Sequence, residues 1–74
     1  MTLIIVQDGR TAAYVRRHVN AESCKVRGVG SAMMGLGFDE IIIACQLTTP
    51  HELLWYDTSV RTRLNPEGTI VNAK

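Results

Sequence analysis

This chain has only two cysteines, Cys24 and Cys45, with no CxxC spacing and no grouping with His18 or His51. That excludes a disulfide framework and leaves too few ligands for a zinc site. Two buried free thiols in a reducing compartment are favoured over a Cys24–Cys45 bridge. Lysine occurs only as Lys25 and Lys74, and there is no GxxxxGK(S/T) run, so the usual lysine-bearing cradle for β and γ phosphates is missing. Neither sign of charge is in excess. Eight Lys and Arg against seven Asp and Glu give a net charge of +1, which is not the balance of a protein that holds nucleic acid mainly by neutralising phosphates. The longest unbroken apolar run, Ile41 to Cys45, falls far short of the roughly 20 residues of a membrane span. The first residues, Thr2-Leu3-Ile4-Ile5-Val6-Gln7-Asp8, lack the basic region and cleavable apolar core of a signal peptide. The expectation is a soluble cytoplasmic domain with no membrane partner, metal or cofactor.

What is present is enough for one small domain: 74 residues bury little more than about 60% of their unfolded surface. Domains with so thin a core often recruit a metal, a disulfide or a partner subunit.

The chain alternates strand and helix signals. Leu3-Ile4-Ile5-Val6 is apolar without polar alternation, as in strands covered on both faces. Asp8-Gly9 ends it, and Asp8 is placed to cap a helix from Arg10 to Val19. That helix puts Ala12, Val15 and Val19 on one face and Arg10, Tyr14 and Arg17 on another. Ser23–Val29 reads as a weaker strand, and the stretch from Gly28 to Gly37 as a glycine-rich connection. Phe38–Cys45 is the strongest strand. Thr49-Pro50-His51-Glu52 is a capping-box start for a helix to about Leu64, with Leu53, Tyr56, Val60 and Leu64 inward. Asn65-Pro66-Glu67-Gly68 reads as a turn before a last strand, Thr69-Ile70-Val71. The fold class expected is α/β, with a mostly parallel sheet of about four strands and two main helices in the order β-α-β-β-α-β.

Gly30-Ser31, Met34-Gly35, the Phe38–Cys45 strand and Arg63-Leu64-Asn65-Pro66-Glu67-Gly68-Thr69-Ile70-Val71 together resemble the acidic-strand region of P-loop helicases and phage large-terminase ATPases. The departures from that family are as informative as the matches. Where it carries an aspartate for magnesium and a glutamate to activate water, this chain has Ala44 and Cys45, which do neither. The resemblance thus implies a degenerate core without ATPase activity, a phage or prophage origin, and a structural role for Asp39. It also implies that a missing first strand leaves the Phe38–Cys45 strand and the last strand with unpaired backbone groups, an invitation to another chain.

Several residue groups are candidates for function. Arg10, Tyr14 and Arg17, with His18 and Arg16 nearby, form a basic face with an aromatic suited to stacking on nucleic acid. Arg61 and Arg63 extend it if the two helices are neighbours. The bland alternative is solvated faces, with Arg61 and Arg63 complementing a helix C-terminus. Met33, Met34 and Trp55 lie off the regular pattern and suit a protein contact. For Trp55 the alternative is that it covers one end of the sheet. Gly28-x-Gly30 and Gly35-x-Gly37 lack the third glycine of a dinucleotide loop, because Met33 stands in its place. No spacing links His18 or His51 to Ser23, Ser31 or Cys45 as a nucleophile and base.

The function expected is non-enzymatic: an accessory or regulatory protein that binds a protein partner of a nucleic-acid or defence machine, with a homodimer as one form. Direct nucleic-acid binding through Arg10, Tyr14, Arg17, Arg61 and Arg63 is the alternative.

Overall fold

In the computed structural model, residues 1–31 and 37–72 are described. Four parallel strands form one sheet: β1 (Thr2–Val6), β2 (Cys24–Gly28), β3 (Phe38–Ile43) and β4 (Leu64–Asn72), in the spatial order β2-β1-β3-β4. Helix α1 (Gly9–Arg16) connects β1 to β2, and α2 (Pro50–Trp55) begins the connection from β3 to β4. The small α/β fold expected from the alternating pattern is the fold observed.

Because the chain moves outward from β1 to β2 and in the opposite direction from β3 to β4, right-handed crossovers carry the two helices to opposite faces. The core accordingly has two parts. Val6, Ala12 and Val26, with Ile4, Val15 and Val19 around them, pack under α1. Leu3, Ile5, Ile41, Ile43, Phe38, Cys45 and Val60 pack under α2 and the turns that follow it. β1 serves both, so its apolar residues need no polar alternation.

Both helix starts follow from local chemistry. The Thr11 amide donates to the Asp8 carboxylate at 2.8 Å, capping α1. At α2 the Glu52 amide donates to Thr49 Oγ1 at 3.2 Å, and the Glu52 carboxylate accepts the Thr48 and Thr49 amides at 3.0 Å each.

The second helix departs from the expected regular run to Leu64. After Trp55 it widens into a π-helical turn, Tyr56–Val60, then tightens into a 3-10 turn, Arg61–Arg63. Thr58 and Thr62 hydroxyls donate to the Leu54 and Thr58 carbonyls at 2.8 and 3.1 Å, back-bonding of the kind that bends helices. The wide turn holds an extra residue, and Trp55 and Tyr56 pack against the core cluster that contains Val60. The expected inner face is corrected accordingly: Leu53 is 47% exposed, whereas Trp55 is half-buried against the core.

Leu64 opens β4 instead of closing the helix, and Asn65–Gly68 is an irregularity inside β4 rather than a separate turn. Phe38 pairs with Leu64 and Glu40 with Thr69, so β4 uses extra residues between those two points. Glycine is needed at the end of this excursion: a Cβ on Gly68 would stand 2.7 Å from the Asp39 carbonyl oxygen.

A further correction concerns the sheet. No gap separates the third and last strands; β3 pairs directly with β1 and with β4. The free edges are the outer sides of β2 and β4.

Candidate functional site

In a sheet of this order the crevice outside the carboxyl ends of β1 and β3 is the usual place for a ligand. Here it is lined by Gln7, Cys45, Gln46, Thr48 and Glu52. None of these is cationic. Glu52 already accepts two amides, and these hold its carboxyl below the usual range. Burial, and then the charge of Glu52, push the Cys45 thiol up. A raised thiol is a poor nucleophile, and carboxylates at a helix start repel phosphate. Among the described residues no cluster of His, Cys, Asp or Glu is arranged to hold a metal. Beyond the end of β3, Ala44 is exposed and Cys45 buried. Both cysteines are free thiols, at opposite ends of the parallel sheet.

The basic candidates are not brought together. Arg10, Tyr14 and Arg17 lie on α1, over one face, and Tyr14 is 63% exposed with its ring 4.9 Å from that of His18. Arg61 and Arg63 follow α2 on the opposite face, and Arg61 pairs with Asp57 at 3.9 Å. The condition under which Arg61 and Arg63 would extend the α1 face, neighbouring helices, is not met, because the sheet stands between the helices.

Trp55 donates its indole N–H to the Ser31 carbonyl at 2.9 Å and packs on the core. It covers the sheet rather than standing free for a partner. Met33 and Met34 lie outside the described residues. Asp39 accepts the Met1 amino group and Asn65 Nδ2, both at 2.7 Å, and these bonds lower its carboxyl's pKa.

The two sheet edges differ. In β2 the Cys24, Val26 and Gly28 peptides face outward, because Thr2 bonds to Ser23 and Val29 to Val6 on the inner side. Three of these outward groups are occupied. The Val26 carbonyl accepts Arg16 Nη2 at 3.0 Å and Arg27 Nη1 at 2.9 Å. Cys24 N–H donates to Asn20 at 2.9 Å, and the Gly28 carbonyl accepts from Ser31 at 3.2 Å. Cations and local bonds of this kind blunt an edge.

β4 lacks such cover. The Ala44 amide donates to Ile5 at 2.8 Å, which turns the Ile41 and Ile43 peptides toward β4. The register then points the Ile70 and Asn72 peptides outward. Among the described residues nothing is hydrogen-bonded to their outer side. Pro66 and the irregularity guard only the first half of the strand; Thr69-Ile70-Val71-Asn72 carries no charge and no proline. Ile70 is 38% exposed on the α2 face and Val71 42% exposed on the other, where α1 covers β1 and β2 but leaves β3 and β4 bare. The sequence analysis expected unpaired backbone groups on the last strand, but at a gap beside Phe38–Cys45; the open side is instead the outer edge of β4. Which strand lies outermost is a matter of topology.

No protein family matches the chain, and neither does any curated protein or solved structure. Among the described residues no helix is long and apolar enough to cross a membrane.

Proposed function

We propose that this chain is a non-enzymatic binding module whose open β4 edge accepts an extended segment of a protein partner. The observation that carries the reading is the asymmetry of the edges: two guanidiniums close the Val26 carbonyl on β2, while the Ile70 and Asn72 peptides on β4 are open and flanked by exposed apolar side chains. Strand addition uses such an edge, with main-chain bonds for affinity and side-chain contacts for selectivity. That none of the described residues lining the switch-point crevice is cationic supports a module that does not turn over nucleotide. The setting implied by the sequence resemblance is a phage-encoded accessory factor acting in the host cytoplasm on a nucleic-acid or defence machine.

The test is a paired affinity capture from the source cell with the wild-type chain and Val71→Lys, which places a charge on the edge without entering the core. A discrete protein held by the wild type and lost by the variant supports the reading. Retention by both overturns it, and light scattering that shows a wild-type dimer abolished by Val71→Lys would identify the partner as a second copy.

The second reading, nucleic-acid binding, rests on the exposed Tyr14 beside His18 with Arg10 and Arg17 on the same helix. It requires DNA binding that weakens steeply with salt and is lost in Arg17→Ala. No binding at low salt removes it.

A further inference from the structure

Beside the open edge lies a groove of about 550 Å³, between α2 and the carboxyl ends of β3 and β4. Ile43, Cys45, Leu47, Leu53, Tyr56 and Ile70 supply its apolar walls, and Gln46, Thr48 and Asn72 its polar rim. Among the described residues no lining residue is charged. Its volume is in the range of small-ligand sites. Leu53, exposed on α2, forms part of the wall.

Groove and edge are continuous, since Ile70 and Asn72 belong to both. Residues opposite each other in a sheet share a face. A strand added along β4 therefore places the side chains opposite Ile70 and Asn72 over the groove. The residue between them, opposite Val71, lies on the bare face beside Val71 and Ile42. We infer that the groove is the selectivity pocket of the edge, and that its occupant is an uncharged extended peptide segment with consecutive apolar residues, one entering the groove and the next covering Val71. The inference rests on the strand-addition reading above and adds the partner's chemistry to it. The match in charge is specific: an acidic or basic segment would leave its charge desolvated against a neutral wall, whereas an apolar side chain gains by burial.

The probe is a random heptapeptide library displayed on yeast and panned on the biotinylated chain, followed by affinity measurement of the enriched peptides in solution. Leu53→Lys alters the groove and leaves the edge; Val71→Lys alters the edge and leaves the groove. Both side chains are exposed, and unchanged thermal melts confirm that both variants fold. The expected result is enrichment of uncharged sequences with adjacent apolar residues, with affinity reduced about tenfold by each variant. Loss in Val71→Lys without loss in Leu53→Lys overturns the groove and spares the edge. Loss in Leu53→Lys alone overturns the strand-addition reading. Enrichment of charged sequences, or no enrichment, overturns both.

Discussion

The Arg16 guanidinium reaches from α1 across the outer side of β2 and donates to the Val26 carbonyl at 3.0 Å. Arg27 meets the same oxygen at 2.9 Å. Two cations on one outward carbonyl make β2 a poorer template for another strand than β4.

Removing the guard should change the association behaviour. The double variant Arg16→Ala/Arg27→Ala is expected to associate with rising concentration beyond the wild-type state, as seen by light scattering. An unchanged mass over the same range would show that the Val26 carbonyl needs no cover.

The π-helical turn sets which residues of the second helix carry stability. Leu53→Ala is expected to change stability by less than about 0.5 kcal/mol, as at other exposed sites. Trp55→Ala, which removes half-buried surface and the bond to Ser31, is expected to cost about 2 kcal/mol. Urea unfolding of the two variants checks this, and the reverse order would indicate a regular helix with Leu53 inward.

The capping box predicts both a mutational and a pH effect. Thr49→Ala is expected to cost about 1 kcal/mol. The Glu52 carboxyl is lowered by accepted amides, so its charge stabilises the fold above the ordinary glutamate range. That contribution is lost as pH falls through the lowered folded value. Glu52→Gln keeps an acceptor oxygen but not the charge. Its deficit relative to wild type should therefore be present at neutral pH and vanish in acid. A deficit that persists in acid would assign the role to shape alone.

The two thiols should react in order. Cys24 is half-buried and Cys45 buried with a raised pKa. Iodoacetamide at mildly alkaline pH should modify Cys24 first, and Cys45 should become reactive on unfolding. Mass spectrometry of the time course checks this, and early Cys45 labelling would mean that the groove opens readily.

Much of the fold is legible residue by residue. Asp8 and the Thr49-Pro50-His51-Glu52 run announce helix starts because their side chains satisfy amides a few positions away. The uninterrupted Leu3–Val6 run announces a strand covered on both sides, and Phe38–Cys45 announces a strand, although one face of β3 is bare. The candidate site was less legible. The basic face of α1 was visible, but its separation from Arg61 and Arg63 was not, since that depends on which face of the sheet each helix takes. Trp55 and Leu53 exchanged places because the wide turn after Trp55 changes the register between α2 and Val60.

The sequence by itself determined the order of strands and helices, the caps and the absence of a lysine phosphate cradle, all of which depend on neighbours within a few residues. Only the tertiary structure decided that β4 is outermost, that two arginines close the opposite edge, and that an apolar groove adjoins Ile70. These depend on strand order and on contacts between residues far apart in the chain, where local propensity carries no information.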